Sequence, residues 1–487
     1  MSDNRHFDQL VNNNHPIGEV IGVDKFLIKL SGLQPVNTHA LIMFEDGSKG
    51  YVHHVLPDYT LVFHMGRVPI RVGMTAVVQH DALVSQVGKG FVGRIVTVSG
   101  EPLDGKGPIG ADGVWPVFAQ APMLYKRELL DTQLETGVAI VDSLFPLVKG
   151  QRIAILGDNK SGKTTLGLQT AINQRNTDMI VVYVLIAKRR SDIDDLVTQM
   201  QANNSLDKAV IVVSTMSDSL VMSFLAPYVG CSIAEYLWQI VGQDVMVIYD
   251  DLTSHAQIYR EMSLLSGVSP GRDSYPGDMF YIHSQLLERA GKLAENHKTL
   301  TALPLVLTPG GDITGFLSTN LMSITDGQWI LDMKTFRDTV RPALSVPLSV
   351  TRVGGRGQNK RQKVQSAQIL QALSAYATAE QYSHFGTEMG GNLQRAVDRG
   401  HDLYELFTQK PGETYSLLAQ QLMLEVFLGL SPEETIDITA LKANASVYAE
   451  KLDPNDEKGF QAVSDKLKSA FLVKGNTKKL TPTKGQA

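Results

Sequence analysis

The sequence predicts a multidomain protein in three parts. These are an N-terminal all-β barrel over residues 1–85, a central α/β unit with a parallel sheet over 86–357, and a C-terminal α-helical part over 358–487. Three observations predict this. Residues 18–80 alternate apolar and polar at short period with frequent turns, the signature of a small closed β unit. From about residue 150, continuous Val/Ile runs alternate with helical segments, which implies a parallel sheet buried on both faces. Past residue 358 the apolar residues recur at helical spacing and strand-like runs stop.

In the first part, Gly18–Val23 and Phe26–Leu30 open the alternation. Glu45-Asp46-Gly47-Ser48-Lys49-Gly50 reads as a hairpin turn, and Leu61–Phe63 and Thr75–Val78 continue the pattern. Residues 90–105 form a Gly/Pro-rich approach. The central runs are Ile153–Leu156, Ile180–Ile186, Ala209–Ser214, Val245–Tyr249 and Ala302–Leu307. In the last part, Gln365–His384, Leu403–Phe407 and Leu417–Leu428 read as helices. The final stretch, Lys466–Ala487, carries six lysines and no acid. It reads as a solvated, frayed tail, with nucleic-acid contact as the alternative.

At 487 residues the chain is too long for one hydrophobic core. Its 43% apolar and 20% charged residues are ordinary for a globular protein, and a net charge of −5 gives no general attraction to nucleic acid. Cys231 is the only cysteine, which excludes an internal disulfide and a cysteine-based metal cluster, and it is expected to pack as a small apolar residue. The longest apolar run, Met179–Ala187, is too short to cross a bilayer. Residues 1–16 are polar and resemble neither a secretory signal nor a transit peptide.

The stretch with explicit chemistry is Gly157-Asp158-Asn159-Lys160-Ser161-Gly162-Lys163-Thr164, followed by Thr165. It fits G-x-x-x-x-G-K-[ST], between the apolar run Arg152–Leu156 and a segment to Asn173 able to form a helix. A Gly-rich turn between strand and helix gathers backbone N–H groups on one spot, and the helix dipole adds positive potential there. Such a loop cradles the phosphates of ATP or ADP. Lys163 would reach the β- and γ-phosphates, and the Thr164 hydroxyl would ligate Mg²⁺. Met246-Val247-Ile248-Tyr249-Asp250-Asp251 supplies the second element. An Asp at the end of a buried strand beside the loop holds the metal, usually through water, which points to Asp250.

Further segments carry a family resemblance. Tyr249-Asp250-Asp251-Leu252, Gly271–Asp278 and His283–Ala290 resemble rotary ATPase nucleotide-binding subunits. Ser323–Gln328, Arg341-Pro342-Ala343 and Ser349–Gly354 narrow this to the alpha subunits of F-type ATP synthases. The resemblance implies a β-barrel, a RecA-like nucleotide-binding domain and a helical domain. It implies alternation with catalytic beta subunits in a hexameric ring around a central-stalk gamma subunit, with a stator delta subunit as a further partner. It places the chain on the cytoplasmic face of a membrane as a peripheral component that meets the bilayer only through partners. By the same resemblance, Arg341, Pro342 and the region of Gln409 flank the adenine, and Arg352 is lent to the neighbouring catalytic site. A structural salt bridge is the other reading of Arg352.

The chain also departs from the family pattern. Catalytic beta subunits carry a glutamate just past the strand after the phosphate loop, and alpha subunits usually a glutamine there. Lys188 takes that place here, and Asn159 and Lys160 replace the usual Arg and Gln. A protonated lysine has no lone pair with which to take a proton from water. The site should therefore bind Mg-ATP without efficient turnover, with Lys188 either steadying γ-phosphate charge or pointing into solvent. The loop Gln409–Tyr415 is longer than usual, and only about seventeen residues precede the first strand, shorter than the family's stator-docking helix. Three alternatives remain: a catalytic ring ATPase of beta or secretion type, a structural ring subunit that has lost nucleotide, and a hexameric RNA translocase. The translocase would need a basic, aromatic-rich N-terminal surface, and residues 18–80 have no basic cluster.

Overall fold

The structure, a computed structural model, describes residues 2–384 and 391–473. The part of the basic tail from residue 474 onward lies outside the described residues.

The alternating N-terminal sequence closes into a six-stranded antiparallel barrel. Around its circumference run Ile17–Asp24, Leu27–Ser31, Thr60–His64, Lys49–Val55, Leu41–Phe44 and Thr75–His80, which pairs back onto the first strand. Closure removes exposed strand edges, and Val20, Ile28, Leu30, Ile42, Phe44, Val52 and Val62 fill the interior. The hairpin turn forms as read. Gly47 takes φ 85°, and the Asp46 carboxylate accepts the Ser48 N–H at 2.9 Å. The polar N-terminus holds an element that its composition conceals. Residues Ser2–Asn12 form a helix whose Phe7 and Leu10 pack on Met43 and Val77, outward-facing residues of the barrel wall.

The central sheet has nine strands. Eight lie in the order Val350–Thr351, Gly327–Leu331, Ala154–Gly157, Thr299–Leu307, Val245–Asp250, Ile180–Lys188, Ala209–Thr215 and Arg94–Thr97. All of these are parallel except the edge strand Val350–Thr351; Gly291–Lys292 pairs antiparallel with Thr299–Leu307 off this path. All five apolar runs singled out in the sequence are strands of this sheet. Alternate residues serve opposite cores. Ile155, Tyr183, Leu185, Ile211 and Ile248 pack with helices Lys163–Asn173 and Arg190–Ala202. Leu156, Val182, Val184, Val212 and Val247 pack with helices Leu220–Gln239 and Leu252–Leu265. The Gly/Pro-rich approach is corrected in one place, since Arg94–Thr97 joins the sheet as an edge strand beside Ala209–Thr215.

Helix Leu220–Gln239 is long and apolar enough to cross a membrane, with mean hydropathy 1.4, but 83% of its most apolar 18-residue window is buried inside this fold. It carries Glu235, which accepts bonds of 2.8 and 2.6 Å from Arg289 and 2.9 Å from the Trp115 indole. Arg289 also donates to the Val117 carbonyl at 2.8 Å, so the pair clamps the residue 115–117 segment onto the helix. Cys231 on the same helix is buried, where burial pushes its thiol pKa up to about 11.

The last part is helical as expected: Lys360–His384, Gly391–Phe407, Leu417–Leu428, Ile438–Ala449 and Glu457–Phe471. Leu422, Phe427, Leu441, Phe460 and Leu467 extend the core on the phosphate-loop face of the sheet. Strands do not stop entirely, because Thr435–Ile436 and Leu472–Val473 pair antiparallel.

Candidate nucleotide site

In a parallel sheet all strands end on one side, and loops there converge on one place. Gly157, Asp250 and Lys188 end three of these strands. The loop after Gly157 turns directly into helix Lys163–Asn173, whose first turn holds no acidic residue to neutralise its N-terminus. Two glycines are needed for different reasons. A side chain at Gly157 would stand 2.5 Å from the Ser161 hydroxyl, whereas one at Gly162 would meet nothing but would have to adopt φ 100°. Lys160 also takes a left-handed conformation, φ 59°. Lys163 bends back across the loop and donates to the carbonyls of Gly157 at 2.9 Å and Asp158 at 2.7 Å. Burial lowers its pKa. The Ser161 hydroxyl is buried without a hydrogen-bond partner. A buried, unpaired hydroxyl is costly unless something supplied from outside completes it. Together with the free helix N-terminus and Lys163, it fits a phosphate group.

The donor set for a divalent cation is present but already engaged. The Thr164 hydroxyl donates to Asp250 Oδ2 at 3.1 Å, and the Tyr183 phenol donates to the same oxygen at 3.2 Å. Lys188 Nζ lies 2.6 Å from Asp250 Oδ1 and 3.0 Å from Asp251 Oδ2. The remaining Asp251 oxygen caps helix Leu252–Leu265 by accepting the Ser254 N–H at 2.7 Å. Lys188 therefore does not point into solvent. Its side chain is 19% exposed and bridges two carboxylates. Burial opposes its charge, but Asp250 and Asp251 outweigh burial and raise its pKa above the ordinary lysine value. Its aim comes from the backbone. The register with Ala209–Thr215 shifts between Leu185 and Lys188, where Ala187 takes φ 49°. Such a bulge redirects the side chain that follows it.

Arg341, Pro342 and Gln409, which the resemblance places beside the adenine, are also brought together. The Gln409 N–H donates to the Arg341 carbonyl at 2.8 Å. The Gln409 side chain is occupied by the chain's own backbone, accepting from Ala139 N at 2.7 Å and donating to Gly137 O at 2.9 Å and Glu413 O at 2.8 Å. Gln169, on the phosphate-loop helix, donates to Glu413 O at 2.6 Å and fastens the Gln409–Tyr415 loop to it. The Arg341 guanidinium stacks on Phe336, 3.4 Å from the ring centroid, beside Pro342.

Arg352 stands apart from all of these. It follows the edge strand, where Thr351 pairs with Gly327, at the start of Gly327–Leu331. Gly157 pairs with Leu331, at the opposite end of the same strand. Four residues of strand, about 13 Å, thus separate Arg352 from the end where its own chain's phosphate loop lies. Arg352 is exposed, donates to the Thr325 carbonyl at 3.2 Å, and makes no ion pair among the described residues.

Sequence reasoning overlooked Tyr183 and Asp251, and also Asp192 and Asp195. The last two, with Thr164, Lys188 and Asp250, line a pocket of about 280 Å³. Asp192 and Asp195 are exposed on helix Arg190–Ala202, a placement that charge count alone could not have signalled.

Comparison with known proteins bears on this arrangement. Residues 137–351 match the ATP synthase alpha/beta family, nucleotide-binding domain. The span contains the phosphate loop, Lys188, Asp250, Arg341 and Pro342. The ATP synthase subunit alpha of Mycoplasma pneumoniae is 39% identical over 414 residues, covering 84% of this chain and 80% of that protein. The chain belongs to the ATP synthase alpha-subunit family. The subunit alpha of Neorickettsia sennetsu is 37% identical over 452 residues, 91% of this chain and 88% of that protein. That of Clostridium botulinum is 41% identical over 340 residues, 69% and 67%. The barrel, parallel sheet and helical part described above fit the alpha-subunit fold.

Proposed function

We propose that the chain is the non-catalytic, nucleotide-binding subunit of a rotary ATP synthase or ATPase, built from the three units 1–85, 86–357 and 358–487. It alternates with a catalytic beta subunit in a hexameric ring around a gamma stalk, reaches a membrane only through partner subunits, and lends Arg352 to the beta site. The observation that carries this reading is Lys188. Hydrolysis needs a carboxylate to orient and polarise the attacking water. At that place the chain presents an ammonium held on Asp250 and Asp251.

Magnesium–nucleotide, when bound, supplies the phosphate chain and a divalent charge. The chain's own residues do the rest. The loop amides and the helix N-terminus receive the phosphates, and Ser161 gains its missing partner. Lys163, which now donates to the Gly157 and Asp158 carbonyls, would give its charge to the β/γ-phosphates. Where a divalent cation accompanies the nucleotide, Thr164, and Asp250 through water, would be its oxygen donors. Arg341, Pro342 and the Gln409 loop form the wall on the adenine side, with Gln409 acting through its backbone and packing because its amide is engaged.

Two measurements test this. Nucleotide binding to the full chain should be lost in Lys163→Ala, and unchanged binding would mean the loop is unused. Co-expression with the beta partner and native mass measurement should give three copies of each chain. A stable homohexamer with full ATPase activity would instead support the catalytic-ring reading, with Asp192 or Asp195 as its water-orienting group.

A further inference from the structure

We propose that the Lys188 ammonium is a resident counter-cation in the phosphate-loop site, so that the loop takes up nucleoside triphosphate with or without a divalent metal ion. The inference deepens the nucleotide-binding reading and rests on it.

Three features of the site lead to it. First, every oxygen of Asp250 and Asp251, the two carboxylates at the strand end beside the loop, already has a donor. Asp250 Oδ1 and Asp251 Oδ2 take Lys188, Asp250 Oδ2 takes Thr164 and Tyr183, and Asp251 Oδ1 is the helix cap. Second, among the described residues no group of three or more His, Cys, Asp or Glu side chains is placed to hold a metal ion, so Asp192 and Asp195, which line the same pocket, do not complete such a set with Asp250. Third, the ammonium is built into position. It is largely buried, both its partners lie on the sheet's ligand-facing end, and the left-handed Ala187 turns it there. An ammonium 2.6 Å from Asp250 repels a divalent ion from the same carboxylate while offering its own positive charge to the pocket it shares with Thr164. A bound metal ordinarily neutralises β- and γ-phosphate oxygens and links them to the Asp. Lys163 on the phosphate side and Lys188 on the carboxylate side divide that task between them. The specificity that follows is for the polyphosphate itself, whether metal-free or metal-bound.

The test is the dissociation constant of ATP for the purified full chain, measured by calorimetry in excess Mg²⁺ and again in EDTA. The expected ratio of the two constants is below about fivefold. A ratio of fivefold or more overturns the inference and leaves nucleotide binding standing. Failure to bind in either buffer removes the nucleotide-binding reading beneath it. In Lys188→Gln, binding in EDTA should weaken so that the ratio rises at least about tenfold above the wild-type value. A variant with the wild-type ratio would take the role away from Lys188. The wild-type comparison needs no variant and decides the inference even where Lys188→Gln does not fold.

Discussion

Replacing Arg352 by alanine separates a residue that serves a neighbour from one that serves its own fold. In this chain the substitution removes a single hydrogen bond, 3.2 Å to the Thr325 carbonyl, from an exposed side chain with no ion pair among the described residues. Changes of that kind alter stability by about 0.5 kcal/mol or less. Nucleotide binding to this chain should not change either, because Arg352 lies at the other end of strand Gly327–Leu331 from the phosphate loop. The loss should appear only in the assembled ring. Phosphoryl transfer spreads charge over the γ-oxygens, and a guanidinium supplied in trans accelerates comparable nucleotide hydrolases by about 10³ to 10⁵. The beta site keeps its own cations, so a fall of at least about a hundredfold is expected, roughly 2.7 kcal/mol of barrier. Arg352→Lys should restore little, since a point charge cannot span two oxygens. The assay is steady-state ATP hydrolysis by reconstituted wild-type and Arg352→Ala rings, with assembly checked by size. A correctly assembled mutant ring that keeps more than about half its activity would refute the reasoning and mark Arg352 as structural.

Two further predictions concern stability. Burial holds the imidazoles of His53 and His255 down to about 4 and that of His283 well below its ordinary value, so the folded chain keeps them neutral. Their stabilising contribution is complete above about pH 6.5 and is lost as pH falls towards 4, at up to about 1.4 kcal/mol per pH unit for each histidine. Asp142, which burial pushes up to about 7, works the other way by at most one proton. Denaturant unfolding at pH 7 and pH 5 should therefore show lower stability at pH 5, and equal or greater stability there would contradict these assignments. Glu235→Gln breaks a pair whose side chains are 1% and 0% exposed and strands the Arg289 charge, which should cost about 3–5 kcal/mol. A thermal midpoint unchanged within error would show that the clamp on residues 115–117 contributes nothing.

How far the sequence reveals this molecule depends on where each decision is made. The phosphate loop and the five Val/Ile runs were legible because local composition alone dictates them: glycines for the turn, β-branched residues for strands buried on both faces. Strand Arg94–Thr97 was not, because its flanking glycines and prolines look like a linker, and only docking against Ala209–Thr215 makes it a strand. The N-terminal helix hides for a similar reason. Its few apolar residues gain meaning from Met43 and Val77, more than thirty residues away in the chain. Within the site, Lys188 was visible as a departure, but its direction was not. The ion pairs with Asp250 and Asp251 depend on a register shift and on Ala187, neither of which leaves a sequence signal. Gln409 was singled out by resemblance alone, and the engagement of its amide with Gly137 and Ala139 depends on contacts about 270 residues apart.

The central claim is that this chain holds ATP without consuming it. The direct measurement is phosphate release by the purified full chain under saturating Mg-ATP, with bound nucleotide quantified in the same sample. The account predicts bound nucleotide and turnover far below 1 s⁻¹. Turnover at about 1 s⁻¹ or above, an ordinary enzyme rate, would contradict it and make the chain a catalyst in its own right.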